Sequence, residues 1–331
     1  MIETNDTVSD ESSYTEVDLA ISYQTRFWLF LISDILSFLF TCFVLFHFLF
    51  VQRLRQSINN HTTIVLLVLN IIYELTDLPL IIHYYRLDGL WQPTPIILSK
   101  FWSFFDSYIY TTQIIIFAWS TVERHILIFH DRWLAGKTKR FLFHYFPLIL
   151  LLFCYLIYYT MLIFYPFCDY LNYQLLVNGV PVACIYLNST FAPYDLIINQ
   201  IIPTFIIVIS SLGLLIRVIL KKRRLRRVIE WKKQRKLIIQ TLSISILYAC
   251  FQFPWTLFQF CDLIHLSVDN GRNALKYTYF FSYYVTFLFP FVLCASVPGL
   301  WKRTTRIFRA QRLNGTVVPE RLQPNELNQT K

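Results

Sequence analysis

Charged side chains are scarce in this chain: Asp, Glu, Lys and Arg make up 15% of its 331 residues, against about 25% in a soluble domain. The scarcity is uneven. Residues 141–168, 196–216, 237–261 and 277–301 contain none of the four, and each run is long enough to cross a hydrocarbon core of about 30 Å as a helix. Glycine is low too, with seven residues beside 13 prolines, which excludes collagen-like and low-complexity chains. Enzyme signatures are missing. No HExxH, CxxC or GxGxxG pattern occurs, and Gly136-Lys137-Thr138 lacks the earlier glycine of a phosphate loop because position 131 is Asp131. The seven histidines are scattered without metal-ligand spacing, so neither catalysis nor a cofactor or metal is expected.

What is present is apolar: 56% of residues are hydrophobic and 18% aromatic. The pattern predicts an all-α membrane protein with seven transmembrane helices, at roughly 27–51, 63–84, 97–123, 144–166, 196–220, 237–261 and 274–299. The first three carry acids within them: Asp34, then Glu74 and Asp77, then Asp106. Flanking apolar runs still make each a span. The chain divides into an acidic tail at 1–26, a seven-helix unit at 27–299 and a tail at 300–331.

Orientation follows from basic residues in the short connections. Residues 221–236 hold ten Lys or Arg against one acid, while residues 1–26 hold six acids against Arg26. The 168–195 loop has two acids and no base. This bias predicts an outside amino terminus and an inside carboxyl terminus, and the acidic start, with no basic segment ahead of an apolar run, predicts no cleavable signal peptide. The net charge of +10 then reflects the inner face and its attraction to anionic lipid, not nucleic-acid binding. Acceptor sites at Asn5 and Asn188 fall outside and are glycosylation candidates; those at Asn60, Asn314 and Asn328 fall inside. Cys168 and Cys184 share the oxidising side. They are expected to form a disulfide, the alternative being two separate buried thiols.

Polar residues inside the spans mark function. Asn70, Glu74 and Asp77 stand at i, i+4 and i+7, spacing that places them on one face of a helix. Span three ends in Glu123-Arg124-His125, an Arg beside an acid at the inner boundary. Four spans contain a proline, at Pro79, Pro203, Pro254 and Pro290, where helices can bend.

This arrangement resembles the rhodopsin-like G-protein-coupled receptors over about residues 25–312. Glu123-Arg124-His125 is similar to that family's acid-Arg-aromatic triplet. Leu66 to Asn70 resembles its L-A-x-A-D pattern, and Pro79 follows nine residues on. Pro203, Phe253-Pro254 and Phe289-Pro290 match the prolines of spans five, six and seven. Residues 300–312 resemble its amphipathic eighth helix. There are departures. Asn70 replaces the sodium-anchoring Asp, Gln252 the span-six Trp, Phe289 and Leu293 the span-seven Asn and Tyr, and Ser99 the span-three Cys. Gln234 stands where an acid often holds the triplet Arg.

The resemblance implies a divergent receptor that binds an extracellular ligand and activates a heterotrimeric G protein. Glu123, Arg124 and His125 would form the switch, with Arg124 held by Glu123 at rest. Asp106, 18 residues before Arg124, matches the position at which amine receptors pair a cationic ligand. Tyr283, Phe251 and Trp255 would share its pocket. The alternative for Asp106 is a solvated carboxylate, or one paired with Lys100 or Lys276. An amine, a peptide or an odorant-like molecule would each suit such a receptor. Two other functions compete: a seven-helix channel or transporter using the intramembrane polar face, and a receptor-like protein that no longer signals.

Overall fold

The computed structural model describes residues 19–56, 58–91, 95–129, 136–165, 176–177, 179–224, 228–266 and 271–296. Asn5, Cys168, Asn314, Asn328 and the expected eighth helix at 300–312 lie outside these residues. The described chain is almost wholly helical. Its long helical segments are α1 (Tyr23–Phe50), α2 (Asn60–Arg86), α3 (Ile96–Phe129), α4 (Phe141–Phe164), α5 (Phe191–Arg217), α6 (Ile238–Leu263) and α7 (Asn273–Ser296). All except α3 are long and apolar enough to cross a bilayer. α3 runs for 34 residues, and its lower hydropathy comes from Asp106, Gln113, Glu123, Arg124 and several hydroxyl residues.

The helices close a ring. α1 packs on α2 and α7, α7 on α6, α6 on α5, and α5 on α3, while α3 also meets α2 and α4. With three neighbours, α3 sits deepest, and its polar groups are buried: Thr112 is 0% exposed and Arg124 2%. The outer surface is the reverse. Ile32, Ile35 and Leu39 on α1, Phe153, Ile157 and Met161 on α4, and Ile209, Leu212 and Ile216 on α5 all face outward. In water this distribution would expose far more contiguous apolar surface than a soluble protein tolerates. In lipid it is the expected one, with polar groups turned into the bundle. The chain is a multi-pass membrane protein.

Local sequence sets the ends and breaks. Ser22 caps α1, its hydroxyl accepting the Thr25 N–H at 3.3 Å. α2 is interrupted at Asp77, with Pro79 in the first turn of the segment that follows, where its missing N–H costs least. α4 and α5 contain π-turns, at Phe141–Tyr145 and Ile197–Ile201. The second lies just ahead of Pro203, which cannot donate to the ordinary ladder. Pro254 and Pro290 lie inside continuous helix.

A short hairpin covers one end of α3. β1 (Leu176–Val177) pairs antiparallel with β2 (Val180–Pro181), and the hydroxyl of Ser103 donates to the Pro181 carbonyl. Gly179 turns the hairpin at φ +98°, and a Cβ there would approach the Tyr84 ring to 2.6 Å. Glycine therefore lets the hairpin lie against α2. Cys184, just beyond β2, is disulfide-bonded, whereas Cys42, Cys154, Cys250, Cys261 and Cys294 are free thiols.

Candidate functional site

Two polar clusters lie along α3, separated by the 18 residues between Asp106 and Arg124, about 27 Å of helix. The first surrounds a pair of adjoining cavities near the hairpin end. A small cavity of about 50 Å³ is lined by Tyr73, Asp106, Tyr110, Gln252, Trp255 and Tyr283 among others. A larger one of about 300 Å³ shares Asp106, Tyr110 and Trp255 and extends to Tyr186, Asp195 and Gln259. By volume, the larger cavity lies at the lower end of small-molecule sites.

Asp106 and Tyr283 do share a cavity, yet they are not hydrogen-bonded to each other. Tyr73 donates to Asp106 Oδ1 at 3.0 Å, while the hydroxyls of Tyr279 and Tyr283 meet at 2.7 Å. The Tyr73 and Tyr283 rings lie nearly parallel at 6.4 Å. Asp106 forms no ion pair among the described residues, so neither Lys100 nor Lys276 is its partner. Trp255 lines both cavities and packs on Tyr110 and Tyr279. Phe251 lines neither. It stacks instead on Tyr284, 6.1 Å away, because the helical phase of α6 turns it toward α7. Gln252, at the position expected to hold Trp, donates to the Tyr110 hydroxyl.

Asn70 and Glu74 bond to each other and to α1, and Asp77 bonds elsewhere. Asn70 donates to Glu74 Oε1 at 2.9 Å, and Ser37 and Thr41 of α1 donate to the same oxygen. Asp77 faces α3 instead and accepts the Trp102 indole N–H at 2.7 Å.

At the far end of α3, three consecutive residues tie it to four helices. Successive side chains leave a helix about 100° apart, so each meets a different neighbour. Glu123 accepts from His144 Nδ1 of α4 and, at 3.5 Å, from Thr62 of α2. Arg124 donates to the Thr241 hydroxyl of α6. His125 Nε2 donates to the Ser210 carbonyl of α5. The expected pairing of Arg124 with Glu123 is therefore replaced: the acid is satisfied by His144, and the guanidinium reaches α6. The π-turn at Phe141–Tyr145 carries His144. His144 Nε2 lies 3.3 Å from His61 Nδ1, and His61 Nε2 donates to the Arg55 carbonyl at 2.8 Å. The Tyr145 hydroxyl also meets His61 Nδ1, at 3.1 Å.

Sequence reasoning missed Tyr73, Asp195, His144 and Thr241. Asp195 sits in the loop-proximal turn of α5, and its Oδ1 accepts from Tyr158 and Asn199, both at 2.6 Å. Its location beyond the last apolar run made it look like loop. Comparison of the chain with models of known protein families, and with curated proteins, finds no match.

Proposed function

We propose that the chain is a rhodopsin-like receptor with seven membrane spans, α3 among them, that binds a small cationic ligand at Asp106 and activates a heterotrimeric G protein through Arg124. One observation carries this reading. A single buried helix links a cavity containing an acid to a buried arginine that is tied to α6. A ligand that binds better when α6 is displaced would loosen the Arg124–Thr241 tether and free the guanidinium, which is a population shift between two states. The channel alternative needs a continuous polar path. Its support is weakened because Asn70 and Glu74 face α1 whereas Asp77 and Asp106 face α3 and the cavities. The reading is tested by agonist-driven nucleotide exchange on a G protein, in the parent and in Arg124→Ala.

The proposed orientation places Asn188 outside and Asn60 inside. Asn188 is exposed, and its Oδ1 caps α5 by accepting the N–H groups of Thr190 and Phe191 at 2.9 and 3.1 Å. Those bonds leave the Nδ2 that would carry a sugar unused. Asn60 is buried and donates to the Leu54 carbonyl. Glycosidase treatment is expected to shift the parent on a gel, and removal of both Asn5 and Asn188 to abolish the shift. Sugar on Asn60 or Asn314 would reverse the topology.

In the same reading, Cys168 is the partner of Cys184 and bridges the outer loop. Closing about 15 residues is worth roughly 3 kcal/mol by chain entropy. An impermeant thiol reagent should label neither cysteine in the parent, but should label Cys168 once Cys184 is replaced by Ser. Labelling of both in the unreduced parent would contradict the bridge.

A further inference from the structure

The larger cavity contains a second carboxylate, and among the described residues no Lys, Arg or His lines it. We propose that it takes a small dication, a primary diamine with one ammonium on Asp106 of α3 and the other on Asp195 of α5. This rests on the ligand-binding reading above and narrows the ligand class.

Both acids depend on neutral donors alone. Tyr73 donates to Asp106, while Tyr158 and Asn199 donate to Asp195 and the Tyr186 hydroxyl also reaches it. Neither acid forms an ion pair among the described residues. Hydroxyls and amides reduce the cost of holding an anion away from water, but they do not cancel its charge. A monoamine would neutralise one acid and leave the other. A diamine neutralises both, and its methylene chain can lie against the Trp255 ring, whose face also favours cations. At about 300 Å³ the cavity is small for a folded or extended peptide, so a short flexible dication fits both its charge and its size.

The test uses the full chain in lipid nanodiscs, without G protein, and reads binding by thermal unfolding and calorimetry. The probes are α,ω-diaminoalkanes of three to eight carbons, each compared with the n-alkylamine of the same length. At one or two lengths the diamine should bind about tenfold to a hundredfold more tightly than its monoamine. Asp195→Asn should erase that ratio while monoamine affinity changes less than about threefold, and Asp106→Asn should weaken both series. Asp195→Glu keeps the charge and advances it by one methylene, so it should move the optimum to a shorter diamine, which a mere folding defect would not do. Equal affinities for diamine and monoamine at every length, or a diamine preference that survives Asp195→Asn, would overturn the proposal. G-protein activation by a monoamine with Asp195→Asn silent would sink the dication alone. Diamine binding without nucleotide exchange would instead remove the signalling reading.

Discussion

Asp106→Asn is expected to weaken any cationic agonist by at least about a hundredfold, with neutral ligands little affected. The carboxylate lines both cavities and takes a single neutral hydrogen bond, from Tyr73. A bound ammonium would be its only counter-charge among the described residues. Removing one member of a buried charge pair typically costs about 3–5 kcal/mol, which is a factor of roughly 10²–10⁴ in affinity. Tyr73→Phe removes one hydrogen bond worth about 0.5–1.5 kcal/mol and should weaken binding by about tenfold or less. Tyr283→Phe should cost less again, because its hydroxyl meets Tyr279 and not Asp106. Competition binding against a cationic probe gives all three values. A silent Asp106→Asn beside activity from neutral molecules only would return this residue to a structural role.

Arg124→Ala is expected to abolish signalling while leaving the protein at the cell surface. In the structure the guanidinium is buried and bonded to Thr241 of α6, so the residue both holds α6 and supplies the charge that a partner would read. Arginine stays protonated throughout the physiological range, and its release therefore depends on geometry. Thr241→Val removes the tether without removing the charge. A hydrogen bond to a charged group contributes about 1.5–3 kcal/mol, so ligand-free signalling should rise by about tenfold or more toward the fully active level. Glu123→Gln should raise it as well, by a different route, since it uncouples α3 from His144 of α4. His144→Phe tests that route and should reproduce the effect of Glu123→Gln. Surface immunolabelling alongside a second-messenger assay separates loss of signalling from loss of protein.

The apolar frame was readable because lipid imposes a one-dimensional constraint. A helix must bury about 20 residues in hydrocarbon, and gaps in the charge pattern mark them. The expected spans at 27–51 and 144–166 accordingly overlie α1 (Tyr23–Phe50) and α4 (Phe141–Phe164). The helices run past the apolar stretches at some ends, as α3 does to Phe129, because backbone bonding continues where polarity returns. Asp106 and Arg124 were also readable, since an acid and an arginine 18 residues apart on one helix need no tertiary information. Their partners were not. Tyr73, Thr241 and His144 come from three other helices, and choosing them requires knowing which faces meet. Spacing along one helix did not tell that Glu74 bonds toward α1 while Asp77 bonds toward α3, and Asp195, beyond the last apolar run, looked like loop. Tyrosine hid part of the site as well. With 21 in the chain, and tyrosine enriched at membrane interfaces, nothing in the sequence distinguished Tyr73 and Tyr279 from an interfacial belt.

The most direct measurement is nucleotide exchange on purified heterotrimeric G proteins by the full chain in lipid nanodiscs, without ligand. The parent, Thr241→Val and Arg124→Ala are compared at equal protein, each across representatives of the main G-protein classes. With at least one class, Thr241→Val should exceed the parent by about tenfold, and Arg124→Ala should fall to the rate of the G protein alone. Three rates indistinguishable from that of the G protein alone, with every class, would contradict coupling through Arg124 and leave a membrane bundle whose buried arginine serves only its packing.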